Sequence, residues 1–350
     1  MGERSLLLLF VLGCAFGAIR ASEGEADPLY ITCTNQCEKT GTLQDVSIQH
    51  CQVSSDSLLP NNPWYKQEPL YLRWKELNCK SECRYHCILQ RENERESLGL
   101  RPVKYHGRWP FKRVFVFQEP LSAVLSALTL LIHFNGWLSF VLLLYYKLPL
   151  RPASGRTYYE FTGLWHIHGL LSMNAWFWSA IYHSSVSDLT EKLYHSSNAA
   201  LVGYSLILAV LRTFNVKDEA SRVMVAAPLL AFLTTHILYL NFYELDYGLN
   251  MKVCLAIGIA QMLLWAVWSV VTRHPSSIKL WVIAIGATLA VLLEISDFPP
   301  YKGYVDAHSL THAIVLPLSF LWWSFVKDDA EFRTAALTKK MSFTAGFCTP

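Results

Sequence analysis

Two polar pairs recur at the same spacing in stretches that are otherwise apolar: Ser179-x3-His183 and His308-x3-His312. Four residues is about one helical turn, so each pair occupies one face of its helix. Three neutral imidazoles with an open fourth position suit a catalytic zinc, which lowers the pKa of bound water toward ~7 and supplies hydroxide at neutral pH. Other divalent transition metals accept the same donors. Polar groups inside apolar helices are costly, so three at one depth point to function. His133, His166, His168 and His236 also stand in apolar stretches, where packing or hydrogen bonding is the expected role. Other polar candidates are Asp188, Asp297 and Asp306, in stretches between the apolar segments, and Glu119 just before the first of them. Asp306, two residues before His308, is positioned to orient a ligand imidazole from behind.

These residues are far apart in sequence, so the intervening chain must return them to one level. The 350 residues are 52% hydrophobic and only 16% charged, with a mean hydropathy of +0.24. That is too apolar for an ordinary soluble protein. A net charge of +3 without a Lys/Arg stripe argues against nucleic-acid binding. Apolar segments recur at Leu121–Tyr145, Phe161–Tyr182, Ser196–Leu211, Val223–Phe242, Met251–Val271, Ile278–Ile295 and Ala307–Val326. Each approaches the ~20 residues that cross a bilayer. The expected fold is an all-α membrane protein, a seven-transmembrane-helix bundle preceded by a small disulfide-rich lumenal domain.

Residues 1–21 read as a signal peptide, with Arg4, the apolar run Leu6–Ile19 and a small-residue cut at Ala21. Cys33, Cys37, Cys51, Cys79, Cys83 and Cys87 follow, an even set that makes three disulfides in an oxidising lumen, with fifteen connectivities open. A zinc cluster at Cys79, Cys83 and Cys87 is the rival reading. The expected domains are therefore the signal peptide (1–21), a cystine-stabilised lumenal domain (22–118), the bundle (119–327) and a cytosolic tail (328–350). With a lumenal N-terminus, Lys147, Arg151, Arg156, Arg212, Lys217, Arg222, Arg273 and Lys279 fall in cytosolic loops, against Lys192, Lys252 and Lys302 in lumenal ones. Under this alternation His183, His308 and His312 meet at the lumenal side.

The ordered motifs resemble the GPI-anchor remodelling phospholipases of the CREST superfamily, which also holds alkaline ceramidases and adiponectin-type receptors. The resemblance runs from the cysteine spacings through Tyr105-His106-Gly107-Arg108-Trp109-Pro110, Phe117-Gln118-Glu119-Pro120, Asn174-Ala175-Trp176-Phe177-Trp178-Ser179, Asp297-Phe298-Pro299-Pro300 and Asp306-Ala307-His308. It implies a phospholipase A2-type acyl hydrolase in the Golgi or endoplasmic reticulum, which removes the sn-2 chain from the inositol phospholipid of GPI-anchored proteins. It further implies zinc on His183, His308 and His312, with Ser179 steadying the oxyanion. The family pattern has an aspartate eleven residues after the first histidine, and here that position is Tyr194. A phenol of pKa ~10 is a poor base at neutral pH, so Asp188 or Asp306 is the expected substitute. Two other readings are a catalytically impaired relative that binds GPI lipid or cargo for trafficking, and a seven-helix receptor with a structural metal.

Overall fold

The computed structural model describes residues 24–43, 46–48, 79–115, 117–151, 155–243 and 245–346. The expected signal peptide, Cys51 and the side chain of Cys79 lie outside the described residues. The chain divides into two compact units, Arg20–Lys112 with Pro299–Gly303, and a larger unit built on Arg113–Phe298 and Tyr304–Pro350.

In the smaller unit, helix α1 (Pro28–Thr40) starts where Asp27 accepts the Leu29 N–H and a proline takes the first turn. It stops at Gly41, whose φ of 66° suits a residue without a Cβ. A two-stranded hairpin, Thr42–Leu43 against Val46–Ser47, follows. Helix α2 (Cys79–Ser97) packs back on α1. Disulfides Cys33–Cys87 and Cys37–Cys83 join the two helices. Each pair of cysteines sits four apart on its helix, so one face of α1 is stapled twice to one face of α2. A crosslink spanning 54 residues removes chain entropy worth about 4 kcal/mol, a large share for a small core of Tyr30, Ile48, Tyr105 and the cystines.

The larger unit holds seven long helices: α3 (Pro120–Leu142), α4 (Thr162–Ser184), α5 (Asp188–Thr213), α6 (Glu219–Phe242), α7 (Tyr247–Thr272), α8 (Ser277–Ser296) and α9 (Ala307–Gly346). Their starts follow local capping chemistry. Ser187 and Thr190 form a capping box at α5, and Asp218 and Asp246 accept backbone N–H groups at α6 and α7. Neighbours pack in the circuit α3–α4–α5–α7–α8–α9–α3, with α6 chiefly against α5. Close approach is built in. A Cβ at Gly136 of α3 would lie 2.3 Å from Trp323 of α9, and one at Gly169 of α4 would lie 2.6 Å from Trp137 of α3.

Five of these helices, α3 and α6 to α9, are long and apolar enough to cross a membrane. Helices α4 and α5 are more polar because they carry buried His168, Ser172, Ser179, His183 and Arg212. Their polar groups face protein, where partners offset the cost of burial. Two boundaries differ most from the hydropathy reading. Helix α5 begins at Asp188, eight residues before Ser196, because its first turns are polar but capped. Helix α9 continues past Val326 to Gly346. Asp329 on that extension is fully buried and paired with Arg212 and Tyr159, and Trp165 Nε1 donates to Tyr159 at 2.9 Å.

Candidate metal site

His183 stands in the last turn of α4, and His308 and His312 in the first two turns of α9. One ring nitrogen from each falls within a 4.8 Å cluster, with His183 and His312 buried and His308 partly exposed. The ring centroids are 4.6 to 5.2 Å apart. Among the described residues, no other group of three or more His, Cys, Asp or Glu side chains converges in this way.

Each imidazole is held from behind by its own partner, two of them on α3 and one on α8. Glu119, at the start of α3, places Oε2 2.6 Å from His183 Nδ1. Its backbone N–H also donates to the His183 carbonyl at 3.0 Å, so both ends of the residue are tied to α4. Glu294 of α8 sets its two oxygens 2.9 and 3.1 Å from His308 Nδ1. Ser126 of α3 lies 3.1 Å from His312 Nδ1. Carboxylates accept and do not donate, so Nδ1 of His183 and of His308 carries the proton and Nε2 keeps its lone pair.

The donor set fits a metal. The Nε2 atoms of His308 and His312 are 3.1 Å apart, close to the ~3.3 Å between two ligands on one tetrahedral zinc with Zn–N of ~2.05 Å. Two lone pairs at that distance repel unless a proton or a metal ion lies between them, and the partners behind the rings hold them there. Carboxylate–imidazole pairs of this kind orient metal ligands.

The sequence pattern of the Per1-like family matches residues 69–330, which include all three histidines. The chain belongs to the Per1-like family. It is 32% identical over 334 residues to a Mus musculus protein named GPI-specific phospholipase A2-like PGAP3, covering 95% of this chain and 96% of that one. The Homo sapiens protein of the same name is 32% identical over 326 residues, with 93% and 94% covered. The Protein PER1 homolog of Schizosaccharomyces pombe is 31% identical over 337 residues, with 94% and 93% covered.

Within this Per1-like chain the other expected site residues take distinct places. Ser179 is buried one turn before His183, with Oγ 2.9 Å from Ser126 Oγ. Tyr194 stacks on Tyr182 at 4.4 Å between centroids and lies in a T-shaped arrangement with His183 at 5.6 Å. Asp188 opens α5, and its side chain lies outside the described residues. Asp306 caps α9: its carboxylate accepts from the Ser309 N–H at 2.9 Å, and its own N–H donates to Ser309 Oγ at 3.0 Å. The place behind His308 that the sequence offered to Asp306 belongs to Glu294.

Glu294 and Ser126 were missed by sequence reasoning. Glu294 had a signal, a carboxylate inside an otherwise apolar helix. Ser126 belongs to a buried polar stripe on α3, Ser122, Ser126, Thr129 and His133, at helical spacing. His133 and His168 have the structural partners expected of them, accepting from the indoles of Trp323 and Trp322 at 3.1 Å each. His166 accepts from Trp137 at the same distance. His236 bonds to Asn250 at 3.0 Å.

Proposed function

We propose that this protein is a metal-dependent acyl-ester hydrolase that removes the sn-2 fatty acid from the inositol phospholipid of GPI-anchored proteins. The observation that carries this reading is three converging imidazoles, each turned by its own partner. Relatives named GPI-specific phospholipase A2-like supply the substrate class. His183, His308 and His312 would hold zinc, or another divalent transition metal, through Nε2. When bound, such an ion polarises an ester carbonyl and lowers the pKa of a coordinated water.

The remaining work falls to the chain. Glu119 and Glu294 hold two imidazoles in the ligating orientation, and their charges offset that of a divalent cation. Ser179 offers a hydroxyl that can turn to an oxygen on which negative charge develops. Trp176, 5.3 Å from the His312 ring, and the Tyr182–Tyr194 stack line the site with aromatic surface. Such surface excludes water and accommodates hydrocarbon.

We place all seven helices α3 to α9 across a Golgi or endoplasmic reticulum membrane, with the N-terminus lumenal and the C-terminus cytosolic. This puts the end of α4 and the start of α9 in the lumenal leaflet, where the lipid of a GPI anchor lies. Protease applied to sealed microsomes should then clip a C-terminal tag and spare one placed after Ser22. Protection of both tags would refute the topology.

The deciding assay is lipid mass spectrometry of a GPI-anchored reporter in cells deprived of their own remodelling activity. Wild type should remove the sn-2 chain, and His308→Ala should not. A second reading, a catalytically impaired relative that binds GPI lipid or cargo for trafficking, is favoured by Tyr194 at the position the family gives to aspartate. Unchanged acyl composition with wild type, together with altered reporter transport, would select it.

A further inference from the structure

Ser126 is completely buried at the point where α3 meets α4 and α9. Its Oγ has three neighbours: the Ser122 carbonyl at 2.7 Å, Ser179 Oγ at 2.9 Å and His312 Nδ1 at 3.1 Å. A serine hydroxyl has one proton to give and two lone pairs to accept with. The carbonyl can accept alone, so the Ser126 proton goes there. Both other contacts must then be donated to Ser126, by His312 Nδ1–H and by the Ser179 hydroxyl.

Two consequences follow for chemistry. His312 is fixed in the tautomer whose Nε2 lone pair faces His308, the form a metal requires. The Ser179 proton is parked on Ser126 and can be redirected by rotation of one hydroxyl, leaving no proton stranded and no backbone moved. We propose that Ser126 is a positioning residue that sets the metal-ligating tautomer of His312 and holds Ser179 ready as a hydrogen-bond donor. The proposal rests on the metal-hydrolase reading and adds to it a third orienting partner, neutral where the other two are charged.

The test uses full-length protein in detergent with zinc alone as probe, competed against a chelator of known affinity. The variants are Ser126→Ala, Ser126→Thr and Ser126→Val, with thermal melting recorded for each. Threonine and valine have the same shape and differ in one oxygen. Ser126→Thr should bind zinc nearly as wild type does, while Ser126→Val and Ser126→Ala should bind about 10- to 100-fold more weakly, the usual effect of losing an orienting partner. Spectra of 15N-histidine should show His312 losing its Nδ1–H form in the two weak binders. Wild-type affinity in Ser126→Ala, or equal losses in Thr and Val, would overturn the proposal, because the hydroxyl would then do nothing that volume does not. Wild type that binds no zinc would overturn the metal reading itself, and this proposal with it. That failure is recognised in the unsubstituted protein.

Discussion

Replacing Glu294 with glutamine keeps the side-chain shape and removes the charge, which isolates what the carboxylate does for His308. Both oxygens are within hydrogen-bonding reach of Nδ1, at 2.9 and 3.1 Å, from a side chain 28% exposed. A hydrogen bond to an ionised group contributes ~1.5–3 kcal/mol and a neutral one ~0.5–1.5. The exchange therefore costs about 1–1.5 kcal/mol of preference for the ligating imidazole, or about tenfold in metal affinity. Glu294→Ala removes the bond altogether and should reach the upper part of the ~10- to 100-fold range. Chelator competition with zinc measures both, and thermal melting separates lost affinity from lost fold. Wild-type zinc affinity in Glu294→Ala would refute the reasoning, since His308 would then ligate without its carboxylate or not ligate at all. Glu119→Gln should act on His183 in the same direction.

Three further outcomes follow from the same structure. Tyr194→Asp places a carboxylate beside His183 and should raise release of labelled sn-2 fatty acid by up to ~10²–10⁴-fold; no gain, with metal content unchanged, would remove that position from proton transfer. Asp27 is pulled up by burial, but bonds from Arg91 and the Leu29 N–H win and hold its carboxyl below the usual value of 3.8. Its stabilising effect is therefore complete above that value and fades as pH falls through the lowered one, so Asp27→Ala should lower the melting temperature at pH 7 and much less near pH 2. Arg212→Ala leaves the fully buried Asp329 without its guanidinium partner and should cost about 3–5 kcal/mol; in Arg212→Met/Asp329→Leu, which buries no charge, most of the loss in melting temperature should return.

How much of the site was legible differs from residue to residue. Ser179 with His183, and His308 with His312, are pairs within single helices, and a spacing of four reads directly as one face. Apolar runs marked the helices wherever lipid-type composition and helix coincide, as in α3 and α6 to α8. They fell short at α5, where a capped polar turn begins the helix before the hydrocarbon-like residues, and at α9, where Asp329 would end any hydropathy-based span. In the structure Asp329 is paired and hidden, so the helix continues.

Partners across helices were out of reach. Asp306 is nearer His308 in sequence than Glu294 is, yet it is committed to the cap of its own helix, and α8 brings Glu294 to the ring instead. The six cysteines of the N-terminal region announced a stapled unit, while the pairing of Cys33 with Cys87 and of Cys37 with Cys83 required α1 and α2 to be packed. The amino-acid sequence by itself determined the helical, membrane-type character of the chain, its Per1-like membership and the three histidines that can converge. Periodicity and composition are local properties, and nearby residues suffice to set them. Tertiary structure alone decided which acid stands behind which imidazole, which nitrogen faces the metal position and that Ser126 links His312 to Ser179. Those choices depend on the relative depth and rotation of helices far apart in the chain, which close packing at Gly136 and Gly169 helps to set.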